Sequence, residues 1–197
     1  MGYPKFKETD YIGLNGTTEQ QLMHPHFEKW QKWFINDYLP PENKLAVFIP
    51  CAAIKPYINS PIHRLFNEVL DVYKNDIHRL VISNAGIIPY EFSDKYPFNA
   101  YDWNPLAESD DIQIRYYETT RARIHKYLKK HEYKGYLSYL RTKSLSFNAL
   151  KDACSDLDLN IVYENLNETI NPNKDSDLVL TYPENLKMLK KALEEIL

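Results

Sequence analysis

The chain has 197 residues, enough for one domain with a substantial core and barely enough for two. Hydrophobic residues make up 44% and charged residues 26%, with a net charge of −3, which excludes a broad sequence-blind nucleic-acid groove and leaves room only for local RNA contacts. Its two cysteines, Cys51 and Cys154, lie far apart with no CxxC pair, so neither a disulfide framework nor a structural zinc site is expected.

The first 24 residues read as an irregular arm with a short helical turn after Thr17. The opening MGYPKFKETDYIG is polar, which predicts no signal peptide, and no apolar run is long enough to span a membrane. A cytoplasmic protein is therefore expected, and the sequons at Asn15 and Asn167 are chance matches. From Pro25 the pattern becomes helical. Phe27, Trp30, Phe34 and Tyr38 recur at helical spacing until Pro40-Pro41 stops the helix.

KLAVFIP reads as a short strand buried on both faces. Ser60-Pro61 opens a second helix, SPIHRLFNEVLDVYKN, with Leu65, Phe66, Val69, Leu70 and Tyr73 as its apolar stripe. IHRLVIS (77–83) is a second buried strand, and a long proline- and aromatic-rich loop runs from Asn84 to about Asp110. A helix from about Asp111 to His131, the strand GYLSYL and a helix around Ser144–Ser155 follow. The strand NIVYE, an asparagine-rich loop near residue 170 and a closing helix from about Tyr182 to Leu197 complete the chain. Alternating buried strands and helices predict a three-layer α/β/α domain over 25–197, with a mainly parallel sheet of about four strands. Ligands of such sheets bind at the carboxyl ends of the strands.

That rule draws attention to PCAAIKPYINSPIH, residues 50–63. Cys51 ends the first buried strand, Ser60 is a candidate N-cap, and His63 falls in the first turn of the following helix. Lys55 and Tyr57 lie on the connection between them. A cysteine beside a lysine, a histidine and a helix N-terminus is expected to titrate below its free value of roughly 8.5. Its thiolate would be a nucleophile, with the imidazole able to move protons. Taken singly, a cysteine after a strand also reads as a small buried hydrophobe, and a first-turn histidine as a surface residue. What favours a reactive site is their co-location on one strand–loop–helix unit.

The pattern PC-x3-KPY-x2-S-x2-H resembles the signature motif of the archaeosine synthase family of archaeal tRNA-modifying enzymes. Pro50, Cys51, Lys55, Pro56, Tyr57, Ser60 and His63 fill its fixed positions. HPHFEKWQKWFINDYLPP resembles the family's lead-in, and SNAGIIPYEFSDKYPFNAYD its following segment, with Gly86, Pro89, Glu91, Tyr96, Pro97, Tyr101 and Asp102 matching. The resemblance covers roughly residues 24–130. It departs where Tyr90 replaces an arginine and where DWNPLAES replaces a Thr-Gly. Full-length members also carry a transglycosylase-like domain and an RNA-binding PUA domain, for which this length has no room.

The resemblance implies a fold similar to the uracil-DNA glycosylases and a reaction in which a cyano-deazaguanine in tRNA accepts lysine at its nitrile. It calls for no cofactor. A radical-SAM partner completes the family's pathway, and a separate transglycosylase or PUA-domain protein is a possible further partner. In this reading Cys51, Lys55 and His63 are the catalytic candidates. Tyr57, Ser60, Asn84, Gly86, Glu91 and Asp102 are candidates for binding substrate. In the basic run RARIHKYLKKHEYK, Arg121, Arg123, Lys126 and Lys130 are candidate phosphate contacts, against a solvated charged face. Two rival readings are a non-catalytic adaptor that holds a modified base or docks onto a transglycosylase, and an enzyme of the same fold acting on another nucleobase.

Overall fold

The computed structural model describes residues 2–7, 9, 14–163 and 177–197. In the N-terminal arm, β1 (Leu14–Asn15) precedes α1 (Glu19–Leu22), the short turn expected after Thr17. Then comes α2 (Pro25–Asn36). Proline at its first position loses no hydrogen bond there, and the His24 side chain accepts from the His26 amide at 3.2 Å. Phe27, Trp30, Gln31 and Phe34 make its buried face, one helical stripe.

β2 (Leu45–Pro50) is buried at all six positions, as its continuous apolar run predicts. The second helix is shorter than its sequence suggests. α3 (Pro61–Leu70) ends in a 3-10 turn over Asp71–Tyr73. Its buried stripe is His63, Phe66 and Leu70, so His63 takes the inward place expected of Leu65, which is only half-buried. Ser60 stands at the N-cap position but makes no side-chain cap bond.

β3 (Ile77–Ser83) follows, then β4 (Gly86–Pro89), a strand inside the region expected to be loop. Further along come β5 (Tyr101–Asp102), α4 (Asp110–Leu128), β6 (Gly135–Ser138), α5 (Leu145–Ser155), β7 (Ile161–Tyr163) and α6 (Pro183–Ile196). The asparagine-rich loop and Asn167 lie outside the described residues.

The main sheet has five strands in the order β4-β3-β2-β6-β7. The four strands expected from sequence are all present and mutually parallel, and β4 adds an antiparallel edge. Gly86 makes the turn into β4 at φ +108, a region open mainly to glycine, and a Cβ there would strike the Gln31 carboxamide. That carboxamide bonds Ile87 twice: Nε2 donates to the Ile87 carbonyl at 3.1 Å, and Oε1 accepts from its amide at 3.3 Å.

Helices flank the sheet in two groups, α3 with α6 and α4 with α5, with α1 and α2 also against α4. β1 pairs with β5 in a separate two-stranded sheet, Leu14 opposite Tyr101 and Asn15 opposite Asp102. Among the described residues no helix is long and apolar enough to cross a membrane.

Candidate active site at the carboxyl edge of the sheet

Because β2, β3 and β6 run parallel, Pro50, Ser83 and Ser138 all end at one edge of the sheet. Cys51 lies directly past β2 and is partly buried. Burial pushes its thiol up to about 11, opposed chiefly by the Lys55 cation, with Asp177 and Glu108 adding negative charge. The expectation of a thiol acidified below its free value is therefore corrected. The cation the sequence promised is present, but desolvation of the thiolate outweighs it.

Lys55 is half-buried. Its Nζ donates to the Ala52 carbonyl at 3.0 Å and stands 3.9 Å from the centroid of the Tyr101 ring, a cation–π geometry. Burial lowers its pKa, while Cys51 and Asp102 hold it up. Tyr57 is fully buried. Its hydroxyl meets the Tyr101 hydroxyl, and the Ser83 hydroxyl interacts with both phenols. Ser83 Oγ also accepts from the Ala85 amide at 3.0 Å.

His63 is 0% exposed. Neither ring nitrogen has a well-formed hydrogen bond, although the Pro50 carbonyl acts on the ring and favours its protonation. Burial outweighs that carbonyl and takes the pKa down to about 4, with the Arg79 and Lys55 cations pushing the same way. The imidazole is thus neutral at pH 7, able to accept one proton or donate another. It is neither the surface residue nor the thiolate-stabilising cation that a first-turn histidine suggests.

The remaining substrate-binding candidates divide. Asp102 is exposed on β5, near enough to Lys55 to be felt by it. Ser60 is buried beside His63 in sequence, and Asn84 is buried with its carbonyl accepting from Arg123 Nη1 at 2.9 Å. Gly86 faces Gln31. Glu91 belongs to a different cluster: it accepts from the Tyr38 hydroxyl and pairs with His78 Nε2 at 3.3 Å. His78 sits opposite Ala46, so this cluster lies toward the amino end of the strands, about 16 Å along β2 from Cys51.

Four residues not expected from sequence join the Cys51 edge. Glu108 accepts from Trp103 Nε1 at 2.7 Å, and burial raises its pKa. Tyr116 bonds Ser146 at 2.7 Å, and its pKa is raised by burial and then by Cys51. Arg141 Nε donates to Asp177 at 2.8 Å. Arg141 follows β6, so applying the strand-end rule to the third parallel strand would have found it. Nothing in the sequence signals Asp177.

The basic run leaves the site. Arg121 makes a two-pronged ion pair with Asp156. Arg123 is buried and bonds Glu28 at 2.5 Å, the Leu22 carbonyl at 2.8 Å and the Asn84 carbonyl, so it is a strut between elements and unavailable to phosphate. Lys126 and Lys130 are exposed, and Lys126 lies about 15 Å further along the α4 axis than Tyr116. Among the described residues no group of three His, Cys, Asp or Glu side chains could hold a metal ion.

The chain is similar to archaeosine synthase subunit alpha of Methanosarcina acetivorans, 26% identical over 138 residues that make up 70% of this chain and 21% of that protein. The corresponding subunit of Thermoplasma acidophilum is 30% identical over 48% of this chain and 18% of its own length. Archaeosine synthase of Haloferax volcanii is 27% identical over 76% of this chain and 25% of its length. The chain therefore spans about a fifth to a quarter of these curated relatives. The crystal structure of AF0587, a protein of unknown function, matches with a TM-score of 0.57 at 16% identity, over 83% of this chain and 49% of that one, and supports the fold alone. A family profile described as "Domain of unknown function (DUF5591)" matches residues 27–193, well past the stretch legible by motif. The chain belongs to this family and is a distant homologue of archaeosine synthase subunit alpha.

Proposed function

We propose that this domain acts in archaeosine-related tRNA modification, joining an amine, with lysine the leading candidate, to the nitrile of a cyano-deazaguanine base through a thioimidate on Cys51. The observation that carries this reading is a neutral thiol at a strand end, with a buried neutral imidazole and a half-buried ammonium on the same strand–loop–helix unit.

Adding a thiol across a nitrile forms one S–C bond and places one proton on nitrogen, so a protonated Cys51 brings both parts of the addition. His63 accepts the proton from sulfur and delivers it to the nitrile nitrogen. The amine then attacks the thioimidate carbon, the C–S bond breaks, and the departing sulfur takes back a proton as the amidine forms. Lys55 steadies negative charge on sulfur during addition and departure. Tyr57, Ser60 and Asn84 orient the loop or the base, and Asp102 receives the incoming ammonium. Residues 25–197 form the working domain in this reading, and residues 1–24 an N-terminal arm. A uracil-DNA-glycosylase-like sheet suits the proposal, because its carboxyl edge would hold a single base.

In this reading a transglycosylase or PUA-domain protein delivers the RNA, and a radical-SAM partner acts on the product. Lysine and tRNA carrying the nitrile base, incubated with the protein, test the reading by nucleoside analysis and intact mass. Mass gain at Cys51 and formation of the amidine support it. No adduct on the wild type, together with full transfer by Cys51→Ala, excludes it. Base binding or partner docking that persists unchanged in Cys51→Ala and His63→Phe, without any transfer, would favour the adaptor.

A further inference from the structure

His63 stacks with two tyrosine rings. Its ring lies parallel to Tyr57, with centroids 4.7 Å apart at 15°, and parallel to Tyr90 on the next position of the column, 5.8 Å apart at 18°. The Arg79 guanidinium carbon stands 4.4 Å from the centroid of the Tyr90 ring, adding a cation to the column. The far end is tied down by α3 itself. Asn67, one turn beyond His63, donates to the Tyr90 hydroxyl at 3.0 Å and accepts from Arg79 Nη1 at 2.8 Å, and Asp71, a further turn on, accepts from the same nitrogen at 2.9 Å.

A histidine that moves protons is commonly aimed by a hydrogen bond to its second nitrogen. Here, among the described residues, no such well-formed bond is present, and both ring nitrogens are buried. We infer that the Tyr57–His63–Tyr90–Arg79 column takes over that task, making Tyr90 and Arg79 positioning residues for His63. The inference rests on the reading of His63 as the proton carrier. Tyr90 and Arg79, the two residues it adds, lie outside the motif. Tyr90 and Arg79 also line a separate cavity of about 490 Å³, with His78, Glu91 and Tyr38, so they can be altered from behind without entering the Cys51 edge.

The groups that face the ring are Tyr57 and Lys55 from the motif loop, the Pro50 carbonyl from β2, Arg79 from β3, Tyr90 after β4 and Phe66 on α3. Of these, Arg79 and Lys55 are the cations, and both disfavour the imidazolium.

Proton NMR of the His63 Cε1–H, assigned by its loss in His63→Phe, tests the clamp in the full chain. Tyr90→Phe keeps the ring and is expected to leave the signal in place. Tyr90→Leu removes one shielding face and moves the signal downfield, while Arg79→Gln raises the His63 titration midpoint. Where the proposed amine transfer is measurable, Tyr90→Leu should lower kcat about tenfold to a hundredfold with KM little changed, and Tyr90→Phe should restore it. An unmoved signal in folded Tyr90→Leu and an unmoved midpoint in Arg79→Gln overturn the clamp. Should Tyr90→Leu fail to fold, the same Cε1–H signal read in Tyr90→Met decides. NMR responses without transfer by the wild type keep the clamp and remove the reaction, whereas transfer without NMR responses removes only the clamp.

Discussion

The Lys55 ammonium stands 3.9 Å from the centroid of the Tyr101 ring, which joins the motif loop to the segment that follows β4. Two distant stretches of sequence thus share one cation, and the hydroxyls of Tyr57 and Tyr101 meet beside it. Lys55 is therefore held over the site by an aromatic face and a backbone carbonyl, and it remains the main favourable influence on a Cys51 thiolate.

From this follows the pH dependence of Cys51. Alkylation by iodoacetamide should rise toward a midpoint near 11, because burial holds the thiol protonated. Lys55→Met removes the opposing cation, so the midpoint moves higher and the rate at pH 8 falls roughly three- to tenfold. A wild-type midpoint below about 8.5 would contradict the arrangement described.

His63 carries a second pH dependence. Its folded pKa of about 4 lies below the free value of 6.5, so the unfolded chain binds a proton that the folded chain refuses. Its stabilisation is complete above pH 6.5 and is lost as pH falls toward 4, a change of about 3 kcal/mol. Denaturant unfolding across that window should show a shallower loss in His63→Phe than in the wild type. Equal slopes would mean that His63 is exposed or protonated in the folded protein.

Arg123 separates structure from RNA recognition. Arg123→Met leaves Glu28 and two backbone carbonyls without their donor and should cost about 3 kcal/mol, or roughly 6–12 °C in Tm. Reversing charge at Lys126 and Lys130 should change stability by less than about 0.5 kcal/mol and leave RNA affinity unaltered at low salt. A fall in affinity would assign those two lysines to phosphate.

The arm is expected to govern the Tyr101 segment. Leu14 and Asn15 pair with Tyr101 and Asp102, Thr17 Oγ1 donates to the Asn104 carbonyl at 3.3 Å, and the Asn104 amide donates to Thr17 Oγ1 at 3.1 Å. Deleting residues 1–17 should speed hydrogen exchange over residues 101–104 by about tenfold or more while β2 and β3 stay protected. Unchanged exchange would show that the segment holds itself.

β2 was the most legible strand, because burial on both faces leaves a continuous apolar run, LAVFIP, whereas His78 and Arg79 interrupt β3 and β7 is only partly buried. β4 was not legible. Its GIIP is short, opens on a positive-φ glycine and closes on proline, which is also how a loop reads. The motif loop was placed correctly at a strand end, but the protonation of Cys51 and His63 was not, since desolvation depends on what packs around a group. Arg123 looked like one charge in a basic run, and only tertiary contact reveals Glu28 opposite it. Glu108, Tyr116 and Asp177 reach Cys51 from distant segments, a convergence that spacing along the chain cannot express.

The pair of hydrogen bonds between Gln31 and Ile87 has a consequence for assembly. β4 is an edge strand, and an edge offers backbone donors and acceptors to any passing strand of another molecule. At Ile87 both outward groups are already satisfied by one side chain, which imitates the hydrogen bonding of a neighbouring strand. Gln31→Leu would leave both buried groups without that partner, and local opening of the β4 edge, the first step toward pairing with another molecule, should become easier in the variant.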